Sequence, residues 1–103
     1  MPARPVGAAK RLGALEARKL LSRILREGST AFSRHAQEEM LADDLTEADV
    51  VNVLRCGAVS EGEFERGSWR HRVGTGRMCA VVTFVGLQEI VVVTAWRVRE
   101  RGR

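Results

Sequence analysis

Apolar residues recur at helical spacing in the first quarter of the chain. From Lys10 to Glu27, Ala14, Ala17, Leu21, Ile24 and Leu25 fall on one side of a basic amphipathic helix, and Gly28 supplies its stop. Ser33 is a good N-cap and predicts a second helix to about Leu41, with Ala36 and Met40 inward, His35 in the first turn and Asp43–Asp44 as the break. Thr46-Glu47-Ala48-Asp49 has the capping-box form, in which a hydroxyl and an acid three residues on satisfy exposed helix N–H groups. Val50, Val53 and Leu54 give the third helix its inward stripe, and Cys56-Gly57 predicts a left-handed glycine cap.

After Gly57 the period becomes alternating. Strands are expected at Ala58 to Phe64, Trp69 to Val73, Arg77 to Val85 and Gln88 to Val98, joined by short turns that suit antiparallel neighbours. Phe32 is a candidate start of a further edge strand. These elements predict an α+β fold, N-terminal helices packed on one face of an antiparallel four-stranded meander. In the last strand Val91, Val93 and Ala95 form one alternating set, and Thr94 and Trp96 the other. The polar face is the expected working surface.

A chain of 103 residues fits a single domain, expected over 10–98, with 1–9 a disordered leader and 99–103 a basic tail. The start of the chain lacks the apolar stretch of a secretory signal, and no apolar run is long enough for a membrane span, so a soluble cytoplasmic protein is expected. Cys56 and Cys79 lie far apart without metal-ligand spacing, which predicts buried free thiols and no metal site; no cofactor is implied. Lys and Arg number 17 against 13 acids. The acids concentrate between Glu38 and Glu65 and both ends are basic, a balance that favours RNA or an acidic protein as partner.

Phe32-Ser33-Arg34-His35-Ala36, then Met40, then Leu45-Thr46-Glu47-Ala48-Asp49-Val50 and Leu54 resemble the opening of the family called domain of unknown function 4258. Trp69-Arg70-His71-Arg72-Val73, the apolar strand around Val81-Val82, and Val92-Val93-Thr94-Ala95-Trp96-Arg97 resemble its closing strands. That family is similar to the toxin of the motility quorum-sensing regulator pair and, more remotely, to RelE-like and barnase-like ribonucleases. The resemblance implies a metal-independent endoribonuclease acting on messenger RNA, the toxin half of a toxin–antitoxin pair, with RNA and an antitoxin protein as partners. The chain has no tyrosine, so a catalytic Tyr has no counterpart here, and the residues carried over are His35, the arginine cluster and Thr94.

Metal-free RNA cleavage needs a base for the ribose 2′-hydroxyl, an acid for the leaving 5′-oxygen, and cations or donors for the phosphorane. His35 is the candidate proton carrier, or else a first-turn residue that caps or packs. Arg70 and Arg72 share a strand face and with Arg77 across the turn form either a phosphate clamp or a solvated face; Arg72 is the catalytic candidate among them. Thr94 is a candidate donor to phosphate, Trp96 a base-stacking platform, and Arg34 and Arg97 further RNA contacts. His71 faces the other way, with Trp69 and Val73, as a packed residue. Glu61, Glu63 and Glu65 alternate along the first strand and read as an exposed edge, a general base beside His35, or a patch for a basic partner. Two further readings stay open: a nucleic-acid-binding module without catalysis, and a protein-interaction domain that docks through the N-terminal helix.

Overall fold

The computed structural model describes residues 11–99. Three helices, α1 (Ala14–Glu27), α2 (Arg34–Ala42) and α3 (Glu47–Cys56), interleave with and precede the strands β1 (Ser29–Phe32), β2 (Ala58–Val59), β3 (Glu63–Glu65), β4 (Ser68–Gly74), β5 (Met78–Val85) and β6 (Glu89–Arg97). The expected leader over 1–9 lies outside the described residues, as does the basic tail apart from Arg99.

The helix ends follow their capping residues. The Ser33 hydroxyl accepts from Ala36 N at 3.0 Å to start α2, and Thr46 and Asp49 close the capping box of α3 in both directions, at 3.1 and 2.9 Å. Asp49 is held below the ordinary carboxylate value of 3.8, first by the Thr46 backbone N–H and then by its side chain. The end of α3 differs from expectation. Gly57 is extended, with φ −77° and ψ 165°, because the chain passes straight from α3 into β2. Its glycine is required by close approach: a Cβ there would lie 2.8 Å from Val53 O and 2.9 Å from Gly74 O.

The sheet has six strands in the order β1-β6-β5-β4-β2, with β3 also on β4. Two features go beyond a four-stranded meander. β1 runs parallel to β6 and forms one edge, Ser29 opposite Glu89 through Phe32 opposite Val92. The expected first meander strand is split into β2 and β3, which pair with opposite ends of β4, leaving Ser60–Gly62 between them. His71 explains the split. Its Nδ1 meets Ser60 O at 2.9 Å, and its ring lies where a Cβ on Gly62 would stand 3.1 Å away. Arg11 Nε donates to Gly62 O, and Gly62 N donates to Leu12 O, so the segment before α1 takes the place of a regular ladder. β3 and β4 are joined by Arg66 and Gly67, with φ of 52° and 86°, the two positive values a tight hairpin demands.

Leu21, Ile24, Val50 and Leu54 from α1 and α3 pack against Val73, Val82, Phe84, Ile90 and Val92 of the sheet in one buried cluster, joined by Ala36 and Met40 of α2. The helices therefore cover one face and leave the other open. α1 belongs to this core and also braces α3: Arg18 Nη1 donates to Leu54 O at 2.9 Å and Nη2 to Gly57 O, a cation on the electron-rich carbonyl end of that helix. Cys79 is half-buried but Cys56 is exposed, contrary to the expected burial, because the inward stripe of α3 ends at Leu54; both are free thiols. Among the described residues no helix is long and apolar enough to cross a membrane.

Candidate nucleic-acid interface

Strand alternation decides which side chains reach the open face. In β4, His71 and Val73 are buried, so Arg70 and Arg72 project to the other side. In β6 the core residues are Ile90, Val92 and Ala95, an uneven spacing that corrects the expected Val91, Val93, Ala95 set. The cause is a β-bulge: Val81 pairs with Thr94 but Val82 with Val92, so Val93 is the extra residue. Ser33 anchors it from the edge, its backbone N donating to Val92 O at 2.9 Å and its hydroxyl to Val93 O at 3.1 Å. Unbroken alternation from Val92 would send Thr94 and Trp96 into the core. The bulge returns both to the open face.

Cross-strand partners point the same way, so the register maps this face. One row carries Glu63, Arg70, Thr83 and Val91, and the next carries Arg72, Val81 and Thr94. Cys79 and Trp96 form a third. The Arg72 guanidinium reaches across β5 to lie 5.5 Å from the centroid of the Trp96 ring. That cation–π contact gives Trp96 a role in aiming Arg72, in addition to any stacking on a base. Arg70 Nε donates to Ser68 Oγ at 3.3 Å.

Ser60, Glu63, Glu65, Arg70, Arg72 and Val81 line a cleft of about 250 Å³. The Ser60 hydroxyl accepts from Arg72 N at 2.9 Å and fixes one wall. Among the described residues, ion pairs join Arg11 to Glu61 and Arg99 to Asp43, and His35 lies beside Glu39. Neither arginine of the cleft is in an ion pair with a described carboxylate. Glu63 and Glu65 are likewise free of such partners, and both are exposed. Two cations and two anions thus share one cleft without neutralising each other.

The other candidates lie apart. His35 is exposed on α2, its side chain 65% accessible, with Nε2 3.9 Å from Glu39. Neither it nor the adjacent exposed Arg34 lines the cleft. Arg77 sits in the β4–β5 turn, four residues from the partner of Arg72, or about 13 Å along a strand. Arg97 is tied to the loop after α2: its backbone N donates to Asp43 Oδ2 at 2.8 Å, and its guanidinium to Asp43 O and Asp44 O. Those bonds hold the turn in which Asp44 has φ 58°. His71 is 1% exposed, packs edge-on against Phe84 at 5.4 Å, and has no hydrogen-bond partner for Nε2 among the described residues. Of the alternating Glu61, Glu63 and Glu65, read as an exposed edge, a base beside His35 or a patch for a basic partner, Glu63 and Glu65 are exposed across the hairpin from Arg70 and Ser68, and Glu61 pairs with Arg11. Their alternation was the available signal. Among the described residues, no cluster of three or more His, Cys, Asp or Glu is arranged to hold a metal ion.

The family model described as "Domain of unknown function (DUF4258)" matches residues 32–97, about two-thirds of the chain. The chain belongs to the DUF4258 family. Its matched region runs from the end of β1 to the end of β6 and so contains β2 to β6, the bulge and the cleft, whereas α1 and most of β1 lie outside it. No curated protein and no solved structure matches the chain.

Proposed function

We propose that this DUF4258 protein is a toxin-like, metal-independent endoribonuclease that holds single-stranded messenger RNA across the open face of its sheet. One observation carries the reading: Arg70, Arg72 and Glu63 converge on one cleft, and none is in an ion pair with a described residue. Two guanidinium groups on one strand face suit a phosphate, which takes paired N–H donors, and their charge opposes the charge that builds on phosphorus. Glu63, the cross-strand partner of Arg70, is the base that the exposed His35 cannot provide from its own position.

In this scheme Glu63 removes the proton of a ribose 2′-hydroxyl as that oxygen bonds to the adjacent phosphorus. The bond from phosphorus to the 5′-oxygen breaks, that oxygen takes a proton from water, and the proton on Glu63 returns to solvent. The products are a 2′,3′-cyclic phosphate and a 5′-hydroxyl. Thr94, one strand beyond Val81 in the row of Arg72, donates to a neighbouring phosphate in this scheme. The family resemblance adds the biological setting, a cytoplasmic toxin restrained by an antitoxin protein.

A second reading, an RNA-binding module without turnover, is favoured by the position of the histidines, since neither lines the cleft. Labelled single-stranded RNA in excess EDTA separates the two. The enzyme reading expects cleavage with cyclic phosphate ends, lowered at least about 100-fold by Glu63→Gln with affinity retained. Binding without scission, both of free RNA and of ribosome-bound message, would leave the module. Equal cleavage by Glu63→Gln would remove Glu63 from the chemistry.

A further inference from the structure

α1 gives its inner side to the core, so its outer side is what remains for a partner. The charges on that side are sorted. Glu16 and Glu27 lie on the flank toward the β5–β6 turn, where each lines a cleft with Arg23 and Leu87. The opposite flank faces α3 and is cationic: Ser22, Leu25 and Arg26 of α1 and Arg55 of α3 line a furrow of about 220 Å³ that holds no carboxylate. Its lining is partly apolar. Leu25 packs against the core cluster yet is only partly buried, and Val51, one turn before Arg55 on α3, is likewise half-buried. Leu15 and Lys19, both exposed, continue the outer side of α1 toward its start.

Helix electrostatics accounts for part of this pattern. Arg26 and Arg55 each stand in the last turn of their helix, where a cation suits the carbonyl end. It does not account for the two sharing one furrow, where like charges oppose each other and neither is in an ion pair with a described carboxylate. Arg18, by contrast, is occupied: its bonds to Leu54 O and Gly57 O tie the two walls together, so the furrow is formed before a partner arrives. What it lacks is an apolar contact for Leu25 with an anion on either side. An amphipathic helix with carboxylates flanking its apolar stripe supplies both, each carboxylate taking the paired N–H groups of one guanidinium. A nucleic-acid strand fits less well, since neither α1 nor α3 carries an aromatic side chain on which a base could stack.

We infer that the furrow between α1 and α3 docks an acidic amphipathic helix of a partner protein, on the side of the molecule opposite the open face of the sheet. The apolar stripe of that helix lies on Leu25, and its carboxylates meet Arg26 and Arg55. One wall, α1, lies outside the matched region, so the furrow is not a feature of the family pattern. The inference is independent of the RNA-cleaving reading.

The test uses two fluorescein-labelled peptides of about 14 residues, about 21 Å long as helices, with leucines along one side flanked by glutamates in one peptide and by lysines in the other. Fluorescence anisotropy with the full chain is expected to show the glutamate peptide bound at least about tenfold more tightly than the lysine peptide. Arg26→Glu combined with Arg55→Glu reverses that order, and Arg26→Ala alone weakens the glutamate peptide by about threefold. Affinity for a single-stranded 2′-deoxy oligonucleotide stays within about twofold in both variants, because neither residue is on the open face. No binding of the glutamate peptide to the parent protein, or a preference for it that survives the double substitution, overturns the inference and leaves the RNA reading standing. Loss of oligonucleotide affinity in Arg26→Ala, with the urea transition unchanged, also overturns it, and marks the helical face as the nucleic-acid surface instead.

Discussion

Removing residues 1–28, and with them α1, should unfold the domain even though α1 lies outside the family match. Leu21 and Ile24 are 0% and 1% exposed, and burying one such side chain contributes roughly 1.5–3 kcal/mol. Arg18 adds hydrogen bonds from a charged group to Leu54 O and Gly57 O, each such bond being worth about 1.5–3 kcal/mol. Together these terms come to several kcal/mol, against a total stability of about 5–15 kcal/mol for a domain of this kind. The deletion would also bare the facing sides of Leu54 and Val50, so little margin is left. Circular dichroism with a urea titration reads the outcome directly. A chain starting at Ser29 is expected to lose the cooperative transition seen for the full chain. A retained, steep transition would refute the placing of α1 in the core and revive its reading as a detachable docking helix.

Other perturbations address single contacts. Arg18→Met keeps the aliphatic stem but strips the C-terminal carbonyls of α3 of their cation; about 2 kcal/mol should be lost in urea unfolding, and Arg18→Lys should recover part of it. Because the folded carboxyl of Asp49 titrates below 3.8, it stabilises the protein above that pH and the contribution disappears as pH falls through the lower folded value; Asp49→Asn should therefore flatten the acid limb of a pH-stability curve below about pH 4 while costing stability at neutral pH. Gly57→Ala should destabilise by more than about 1 kcal/mol, since its methyl meets two backbone carbonyls; an unchanged melting temperature would contradict the packing of α3 onto β4. Trp96→Leu should weaken RNA binding and lower the salt dependence of what remains, through release of Arg72; unchanged affinity and salt slope would deny the Arg72–Trp96 contact a role.

Helices, caps and the general layering were legible because each is written in local chemistry: Ser33 and the Thr46–Asp49 box stand at their helix starts, and Val50, Val53 and Leu54 at helical spacing. The opposition of His71 to Arg70 and Arg72 was equally legible from strand period alone. What was not legible depends on contacts distant in sequence. The break at Ser60–Gly62 is set by His71 from the neighbouring strand and by Leu12 from before α1. The bulge at Val93 is fixed by Ser33, sixty residues earlier, and alternation read without it assigns the wrong core partners in β6. A glycine after Cys56 predicts a left-handed cap, yet glycine serves close approach equally well, and only the nearness of Gly74 O distinguishes the two uses. The candidate site suffered the same limit. His35 and the arginines look close as a list of polar residues, but α2 carries His35 beside Glu39, whereas the β3–β4 hairpin brings Glu63 opposite Arg70.

The central claim is that RNA lies on the face of the sheet opposite the helices. Backbone and indole amide chemical shifts, followed while a 2′-deoxy-protected single-stranded oligonucleotide is added, test it most directly. The account predicts that the perturbed signals belong to Glu63, Arg70, Arg72, Thr83, Thr94 and Trp96, with α1 and the exposed side of α3 unmoved. Perturbations centred on Arg23, Arg26 and Arg55 of the helical face, with the Trp96 indole unmoved, would contradict it.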